Sequence, residues 1–181
     1  MSEIATPSQT VGPFFHIGLD AIAVNDLAAD SGVAERVHIS GHVLDGDGKA
    51  VIDALIEVWQ ADAHGAYTSQ ATGFKGYGRI ATDAQGAFSF TTVKPGRVAV
   101  PNATLQAPHI AVNVFMRGLL KHLVTRIYFP GEPSNDEDTI LQSIAATRRD
   151  TLIARTVAGN RQTLTWNIML QGEHETVFFD C

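Results

Sequence analysis

Residues Val37–Val43 have the sequence VHISGHV, in which apolar or small residues alternate with polar ones. A period of two places successive side chains on opposite faces of a β-strand, so the stretch predicts a strand with one buried face. The turn-forming run Asp45–Gly48 follows directly and predicts the end of that strand. The stretch therefore indicates a chain built from β-strands joined by short turns.

Strand-like segments recur along the rest of the chain. They are Ala54–Gln60, Gly78–Thr82, Ala87–Val93, His109–Met116, Leu123–Phe129, Leu164–Leu170 and Thr176–Phe179. The loop Asp83–Gly86 separates two of these segments by four residues that include a glycine, which predicts a β-hairpin. Many short strands at this spacing favour an all-β sandwich or barrel.

Two segments follow a different pattern. Asp136–Ala146 has apolar residues at helical spacing, which predicts one short helix with Ser134, Asn135 or Asp136 as its N-cap. Residues 1–35 alternate poorly and contain prolines and glycines, which indicates an extended N-terminal arm rather than a core element. We expect residues 1–181 to form a single domain that begins with this arm.

Composition excludes several classes of function. Thirteen Lys and Arg against nineteen Asp and Glu give a formal net charge of -6, which offers no electrostatic basis for binding nucleic acid. The one cysteine, Cys181, cannot form an intramolecular disulfide, so folding does not require an oxidising compartment. No secretory signal and no run of apolar residues long enough to span a bilayer is apparent. We therefore expect a cytoplasmic protein.

Residue spacing gives little support for a metal or nucleophile site within the chain. None of the seven histidines has His, Asp or Glu two positions later, the spacing that would place two ligands on one face of a strand. Motifs such as Gly-x-Ser-x-Gly, Gly-x-Gly-x-x-Gly and the P-loop are absent from the sequence. A lone histidine is more often a hydrogen-bonded structural residue than a ligand.

Arg126 is the charged residue that stands out. Alternation in its segment places it on one strand face with His122, Val124 and Tyr128. A buried arginine must be paired, so an internal salt bridge is the simpler interpretation. The functional interpretation is an anchor for a carboxylate, which a guanidinium can bind through two hydrogen bonds. The spacing leaves both open.

Several segments resemble those of the intradiol aromatic-ring dioxygenases. In the middle of the chain these are Ala54–Tyr67, Gly78–Asp83, Thr91–Gly96, Ala107–Ile110 and Leu123–Phe129. The arm segment Thr6–Gly18 and the C-terminal segment Gln171–Asp180 resemble the family's α-type subunits in particular. The resemblance covers nearly the whole chain. It implies an all-β fold, a β-sandwich of mostly antiparallel strands with an extended N-terminal arm and one short helix.

The family binds a ferric ion through two tyrosines and two histidines. At the matching positions this chain has Tyr67, Val98, His109 and Ala111, so two of the four ligands are replaced by side chains without a lone pair. The resemblance therefore implies that this chain binds no metal and has no catalytic residue of its own. It implies that Fe(3+) is held by a homologous β subunit in a large αβ hetero-oligomer.

The resemblance also implies roles in substrate binding. Thr10, Gly12, Pro13 and Arg126 match positions that line the β subunit's iron site. The assembled enzyme would cleave protocatechuate with O2 to give 3-carboxy-cis,cis-muconate. Two alternatives remain open, a transthyretin-like binding or interaction module without catalysis and a self-sufficient iron enzyme with substitute ligands such as Tyr77 or His122.

Overall fold

A computed structural model describes residues 5–29, 36–67, 74–100 and 104–180. Nine β-strands lie within these ranges. They are β1 Val37–Leu44, β2 Leu55–Gln60, β3 Tyr77–Ala81, β4 Ala87–Thr92, β5 His109–Phe115, β6 Leu123–Tyr128, β7 Arg155–Val157, β8 Asn160–Thr165 and β9 Ile168–Met169. In the part of the chain that is described, no helix has the length and apolar character needed to cross a membrane.

The strands form two sheets. The first has the order β4-β1-β8-β7 with β9 also paired to β1, and β1 runs antiparallel to β4 but parallel to β8 and β9. The second has the order β3-β2-β5-β6, and all of its pairings are antiparallel. One apolar cluster joins the two sheets face to face, with members such as Ile39 and Phe90 from the first and Ile56, Ile110 and Ile127 from the second. The predicted sandwich of mostly antiparallel strands is confirmed.

The predicted hairpin is wrong, although its turn is present. Asp83 Oδ1 accepts hydrogen bonds from the backbone N–H groups of Gln85 and Ala87, at 2.8 and 2.9 Å. The strands on either side of this turn belong to different sheets, because β3 pairs with β2 and β4 pairs with β1. The turn therefore carries the chain from one layer of the sandwich to the other.

The N-terminal arm is less extended than predicted. It contains a helix, α1 Pro13–Asp20, with Gly12 as its N-cap and Pro13 at the first helical position, where a proline loses no hydrogen bond. Beyond α1, isolated bridges join Val24 to Arg79 of the second sheet and Asp26 to Thr91 of the first. The next residues, Leu27 and Ala28, are buried in the core. The arm thus includes a core element that spans the edges of both sheets, and residues 30–35 lie outside the described ranges.

The single helix predicted between Asp136 and Ala146 is divided. A 3-10 turn at Pro133–Asp136 precedes α2 Thr139–Ser143 and α3 Ala146–Arg149, and a second 3-10 turn covers Asp150–Leu152. The N-cap of α2 is Asp138, whose Oδ1 accepts hydrogen bonds from the backbone N–H groups of Ile140 and Leu141 at 3.0 and 2.8 Å. The three predicted caps lie two to four residues too early.

The C-terminal strands also differ from the prediction. The segment Leu164–Leu170 is divided between β8 and β9, and β7 was not predicted. Thr176–Phe179 forms no strand, although Phe179 makes an isolated bridge to Val124. β7 has only three residues, which is too short for a period of two to give a signal.

Gly41 lets β1 pass close to the connection between β8 and β9. A Cβ atom at this position would stand 1.7 Å from the backbone oxygen of Trp166, which cannot rotate away. We expect Gly41→Ala to destabilise the fold by about 3 kcal/mol, the upper part of the range for overpacking, or to prevent recovery of folded protein. Thermal unfolding of the purified variant measures the effect.

Gly18→Ala is the matched control, since a Cβ atom there would meet nothing within 4 Å. We expect no loss of stability, and a gain of up to about 1 kcal/mol, because Gly18 lies within α1 and alanine favours a helix more than glycine does. Equal melting temperatures for the two variants would contradict the close approach at Gly41.

Candidate functional site

A row of three residues crosses the outer face of the second sheet. Trp59 of β2 lies directly opposite Ala111 of β5, and Ala111 lies directly opposite Arg126 of β6. Residues directly opposite one another in an antiparallel sheet project to the same face with Cβ atoms about 5 Å apart. The core residues on either side of Ala111 point inward, so this row points away from the core. The sheet register therefore brings Arg126 beside the Ala111 position.

Tyr67 covers the Trp59 end of this row. Its ring stacks on the Trp59 indole, with centroids 5.8 Å apart and planes 10° apart. Tyr67 is 38% exposed and Trp59 is 37% exposed, so the pair forms an aromatic surface open to solvent. Partial burial raises the pKa of the Tyr67 hydroxyl, and the positive charge of Arg126 acts in the opposite direction. Tyr67 and Arg126 are therefore electrostatic neighbours.

His109 lies two residues before Ala111 on the same strand face, opposite Tyr128 of β6. It is 2% exposed, and its ring centroid is 5.9 Å from that of Tyr128. The Nδ1 atom lies 2.8 Å from the Ala107 carbonyl oxygen, so Nδ1 carries the proton and donates it. Burial lowers the pKa of His109, and the charge of Arg126 lowers it further. His109 is therefore a neutral, hydrogen-bonded residue within this face.

Val98 lies outside this row and is linked to Arg126 through Gln106. It is 6% exposed and forms an isolated backbone bridge with Gln106, whose side-chain oxygen is 3.4 Å from Nη1 of Arg126. The four positions that match metal ligands in the family, Tyr67, Val98, His109 and Ala111, thus lie on the side of the sheet that carries Arg126. The sequence-predicted residues of this group do come together.

Arg126 makes no ion pair with any carboxylate in the described ranges. Within these ranges it donates a hydrogen bond to the side-chain oxygen of Gln106, and its charge acts on the nearby hydroxyl of Tyr128. Arg79, on the same sheet face, behaves differently and places Nε and Nη2 3.0 and 2.6 Å from Glu57 Oε1. The internal salt bridge that was the simpler interpretation of Arg126 is not present among these residues.

The residues around Arg126 do not fit a ferric ion. Val98 and Ala111 offer no donor atom, and the guanidinium opposite Ala111 is a permanent cation that would repel a metal ion. No group of three or more His, Cys, Asp or Glu side chains that could hold a metal occurs in the ranges that the structure describes. Tyr67 and His109 are therefore an incomplete donor set.

The substitute ligands Tyr77 and His122 do not repair this set. Tyr77 lies on edge strand β3, donates a hydrogen bond to Glu57 at 2.7 Å, and has its pKa raised to about 12 by burial and by that carboxylate. His122 precedes β6 at the opposite edge and stacks on Phe115 with ring centroids 5.1 Å apart. Three strand spacings separate the two edges by about 14 Å, so the two side chains cannot share one ion.

The arm residues lie away from Arg126. Thr10 Oγ1 accepts a hydrogen bond of 2.8 Å from the backbone N–H of Gly118, in the turn between β5 and β6. Even the end of β5 nearest this turn, Phe115, is about 13 Å along the strand from Ala111. Gly12 has nothing within 4 Å of a Cβ built on it, so this chain itself does not require glycine there. The structure thus places Thr10 at the far end of the sheet from Arg126.

The arm also borders an open groove of about 390 Å³ at this end of the sheet. Its lining is mostly apolar and includes Val11, Phe115, Leu119, His122 and Phe179. Sequence reasoning missed this groove because the lining comes from the arm, the β5–β6 connection and the C-terminal segment.

The sequence pattern indicated one of three further residues of the site and did not indicate the other two. Tyr128 shares a strand face with Arg126, and alternation gave that signal. Gln106 lies just before β5, in a segment without periodicity, and Asp138 lies in the helical region. Neither of these two had a signal that linked it to Arg126.

Comparison with known proteins identifies similar chains. A family model described as Dioxygenase matches residues 12–172. The protocatechuate 3,4-dioxygenase alpha chain of Burkholderia cepacia is 41% identical over 97% of this chain and 96% of its own length. The protocatechuate 3,4-dioxygenase beta chain of the same organism is 34% identical over 93% of this chain and 77% of its own length.

Among solved structures, the dioxygenase domain of a dioxygenase carbohydrate-binding protein fusion from Streptomyces sp. SirexAA-E is similar in fold. It has a TM-score of 0.64 and 26% sequence identity, over 86% of this chain and 89% of that chain. The likeness extends over most of both chains.

The lowered pKa of His109 makes stability depend on pH. Below its ordinary pKa of 6.5, the unfolded chain takes up a proton at this residue before the folded chain does. The free energy of unfolding should therefore fall as the pH drops from 7.5 to 5.5, with a slope of at most about 1.4 kcal/mol per pH unit from this group. We expect His109→Gln to flatten that dependence in unfolding experiments across this range.

His38→Gln is the control, because His38 is exposed and should leave the slope as in the parent protein. The carboxyl groups whose pKa values are lowered, Asp26, Asp83 and Glu132, have ordinary values of 3.8 to 4.5 and act at lower pH. A His109→Gln variant with an unchanged slope would show that this histidine does not govern the dependence.

Proposed function

Because this chain belongs to the intradiol dioxygenase family, we propose that it is the α-type subunit of an enzyme that cleaves protocatechuate. The reaction opens the ring between the two hydroxyl-bearing carbons and incorporates both atoms of O2 to give 3-carboxy-cis,cis-muconate. This chain contributes to substrate binding and to the walls of the site, and it contributes no metal ligand.

The observation that carries this proposal is the likeness to an alpha chain over nearly the full length of both proteins. The beta chain from the same organism is less similar and matches only 77% of its own length. The replacement of two family ligands by Val98 and Ala111 agrees with the α-type assignment. A transthyretin-like module would share the sandwich, but family membership favours the enzyme subunit.

The family is iron-dependent, and we propose that a homologous β subunit holds the ferric ion. When bound, the iron activates the catecholate oxygens of the substrate for reaction with O2. The incomplete donor set and the guanidinium of Arg126 support the assignment of iron to the partner. The existence of related alpha and beta chains supports an αβ assembly.

The arm is the part of this chain that we propose for contact with the partner. Ile17 of α1 is 65% exposed, and Leu120, in the connection between β5 and β6 that holds Thr10, is 64% exposed. Apolar side chains exposed together favour association with another protein surface. Thr10, Gly12 and Pro13 would line the β subunit's iron site from this end. The open space around Gly12 agrees with close approach by another molecule.

Arg126 is the residue that we propose as the anchor for the substrate carboxylate. Its guanidinium carries five N–H donors, and among the described residues only Gln106 accepts a hydrogen bond from it, which leaves donors for a substrate. The carboxylate of protocatechuate is remote from the carbons that react, so binding it orients the ring without chemical participation. The arm and Arg126 would approach the bound substrate from two directions.

Two coarser expectations are proposed on the same basis. One apolar cluster draws on both sheets and on Leu27 of the arm, which supports a single domain over residues 1–181. We propose a cytoplasmic location, since a chain with one cysteine gains no disulfide from an oxidising compartment.

Iron content tests the assignment of the metal. We expect the purified isolated chain, reconstituted with ferric or ferrous iron and then desalted, to retain far less than one iron per chain. The assembled αβ protein should retain about one iron per αβ pair and show the visible absorption of ferric tyrosinate. One tightly held iron per isolated chain, with that absorption, would overturn the assignment.

Arg126→Ala in the assembled enzyme tests the anchor. Loss of one partner of a desolvated charge pair costs about 2 kcal/mol or more, so KM for protocatechuate should rise at least about tenfold. KM for catechol, which lacks the carboxylate, should change by less than about threefold. Iron content should stay as in the parent enzyme, because the metal is held by the other chain.

Arg79→Ala is the matched control, since Arg79 lies on the same sheet face but is paired with Glu57. It should leave the ratio of the two KM values unchanged. Equal losses on both substrates in Arg126→Ala, or an unchanged KM for protocatechuate, would reject the anchor.

A further inference from the structure

The guanidinium of Arg126 has two uncharged polar neighbours, Gln106 and Tyr128. We propose that Tyr128, fixed by the buried carboxylate of Asp138, and Gln106 are positioning residues that orient Arg126 toward the substrate carboxylate. This inference rests on the proposed function of Arg126. It assigns a purpose to two polar groups, Tyr128 and Asp138, that the fold alone does not require to meet.

Tyr128 is placed for this role by the strand. It lies two residues after Arg126 on β6, so the two side chains share a face and their Cα atoms are about 6.6 Å apart along the strand. Tyr128 is 0% exposed, and its hydroxyl donates a hydrogen bond of 3.1 Å to Asp138 Oδ1. Arg126 lies close enough to this hydroxyl that its positive charge acts on the Tyr128 pKa in the direction opposite to burial.

Asp138 is held rigidly and is also 0% exposed. Its Oδ1 accepts hydrogen bonds from the backbone N–H groups of Ile140 and Leu141, and its Oδ2 accepts one of 2.8 Å from Ala107. Three backbone donors thus fix the carboxylate from both α2 and the segment that leads into β5. Because an ionised carboxylate can only accept, the Tyr128 hydroxyl must point its hydrogen at Asp138.

The direction of the Tyr128 O–H bond determines whether the hydroxyl offers its hydrogen or its lone pairs to Arg126. With its hydrogen committed to Asp138, the hydroxyl oxygen presents lone pairs, which suit the N–H groups of the guanidinium. Burial raises the pKa of Tyr128, the charge of Arg126 acts in the opposite direction, and the Asp138 carboxylate raises the pKa again, so the phenol keeps its proton. The Tyr128 oxygen is therefore a neutral acceptor beside Arg126.

The negative charge of Asp138 acts on Arg126 without a direct ion pair between the two side chains. Among the described residues Asp138 makes no ion pair, and neither does Arg126. A direct pair of the kind that joins Arg79 to Glu57 would occupy the planar edge of the guanidinium that a substrate carboxylate needs. Placing the hydroxyl between the two charges keeps the electrostatic attraction and leaves donors available.

Gln106 provides the second point of contact. Its backbone is fixed by two hydrogen bonds with Val98, with N···O distances of 2.9 and 3.2 Å. Its side-chain oxygen lies 3.4 Å from Nη1 of Arg126. This hydrogen bond and the neighbouring Tyr128 oxygen would together restrict the rotation of the guanidinium, as a binding residue requires.

Tyr128→Phe in the assembled enzyme removes the hydroxyl and little else. We expect KM for protocatechuate to rise about threefold to tenfold, the value of one hydrogen bond, while KM for catechol changes less than about twofold. In an Arg126→Ala background the same change should add less than about twofold, because no guanidinium remains to orient. Tyr77→Phe, which removes another hydroxyl on the same sheet face, should leave the ratio of the two KM values unchanged.

A crystal structure of the assembled Tyr128→Phe enzyme separates this inference from the anchor itself. We expect the Arg126 guanidinium to shift or to adopt more than one conformation. If Arg126→Ala leaves KM unchanged, the anchor fails, and an unmoved guanidinium in Tyr128→Phe would in addition overturn positioning. If the anchor holds but Tyr128→Phe acts equally on both substrates or adds its full effect in the Arg126→Ala background, positioning alone is overturned.

Gln106→Leu is the second variant, in case Tyr128→Phe fails to assemble. It removes the other acceptor at an only partly buried position. It should raise KM for protocatechuate selectively, by about twofold to fivefold, and lose that effect when Arg126 is alanine. No selective effect from Gln106→Leu would overturn the role of Gln106.

Discussion

The pairing of β5 between β2 and β6 is the constraint on which the site depends. Directly opposite residues share a face, so the register that pairs Ala111 with Trp59 also commits Arg126 to the outer side of the sheet. A slip of one residue on β6 would turn Arg126 into the core and Ile127 out of it. Because Ile127 is 0% exposed and packs in the main cluster, the apolar core itself holds the arginine in place.

Local patterns in the sequence predicted local structure well. The alternation in Val37–Val43 corresponds to β1, whose burial pattern alternates along its whole length. The turn at Asp83 was also predicted, but the sheets that receive its two strands depend on pairings with β1 and β2, which no short window contains. Asp138, the N-cap of α2, is a similar case. Its carboxylate accepts hydrogen bonds from the backbone N–H of Ala107 and from the hydroxyl of Tyr128, and both partners lie outside the helical segment.

The site shows the same division between local and remote information. Family resemblance gave Tyr67, Val98, His109 and Ala111, and alternation placed Arg126 and Tyr128 on one face. Sequence could not give the distance between Arg126 and the arm, because Thr10 is fixed by a hydrogen bond to a turn more than 100 residues later. Gln106 escaped notice since its segment has no periodicity, and its contact with Arg126 exists only after the sheet has formed.

Arg79 and Arg126 show two ways to keep an arginine on one sheet face. Glu57 accepts hydrogen bonds directly from Nε and Nη2 of Arg79. The pairing offsets the cost of partial burial and occupies these two donor atoms. Arg126 instead donates to the neutral side chain of Gln106 and lies beside Tyr128, whose hydroxyl is bonded to the buried Asp138, so donors of its guanidinium stay available. The charge of Arg126 also bears on positions 98 and 111, where this chain lacks the metal ligands of the family. Donor side chains restored at positions 98 and 111 would still face the guanidinium, whose charge opposes any metal ion beside it.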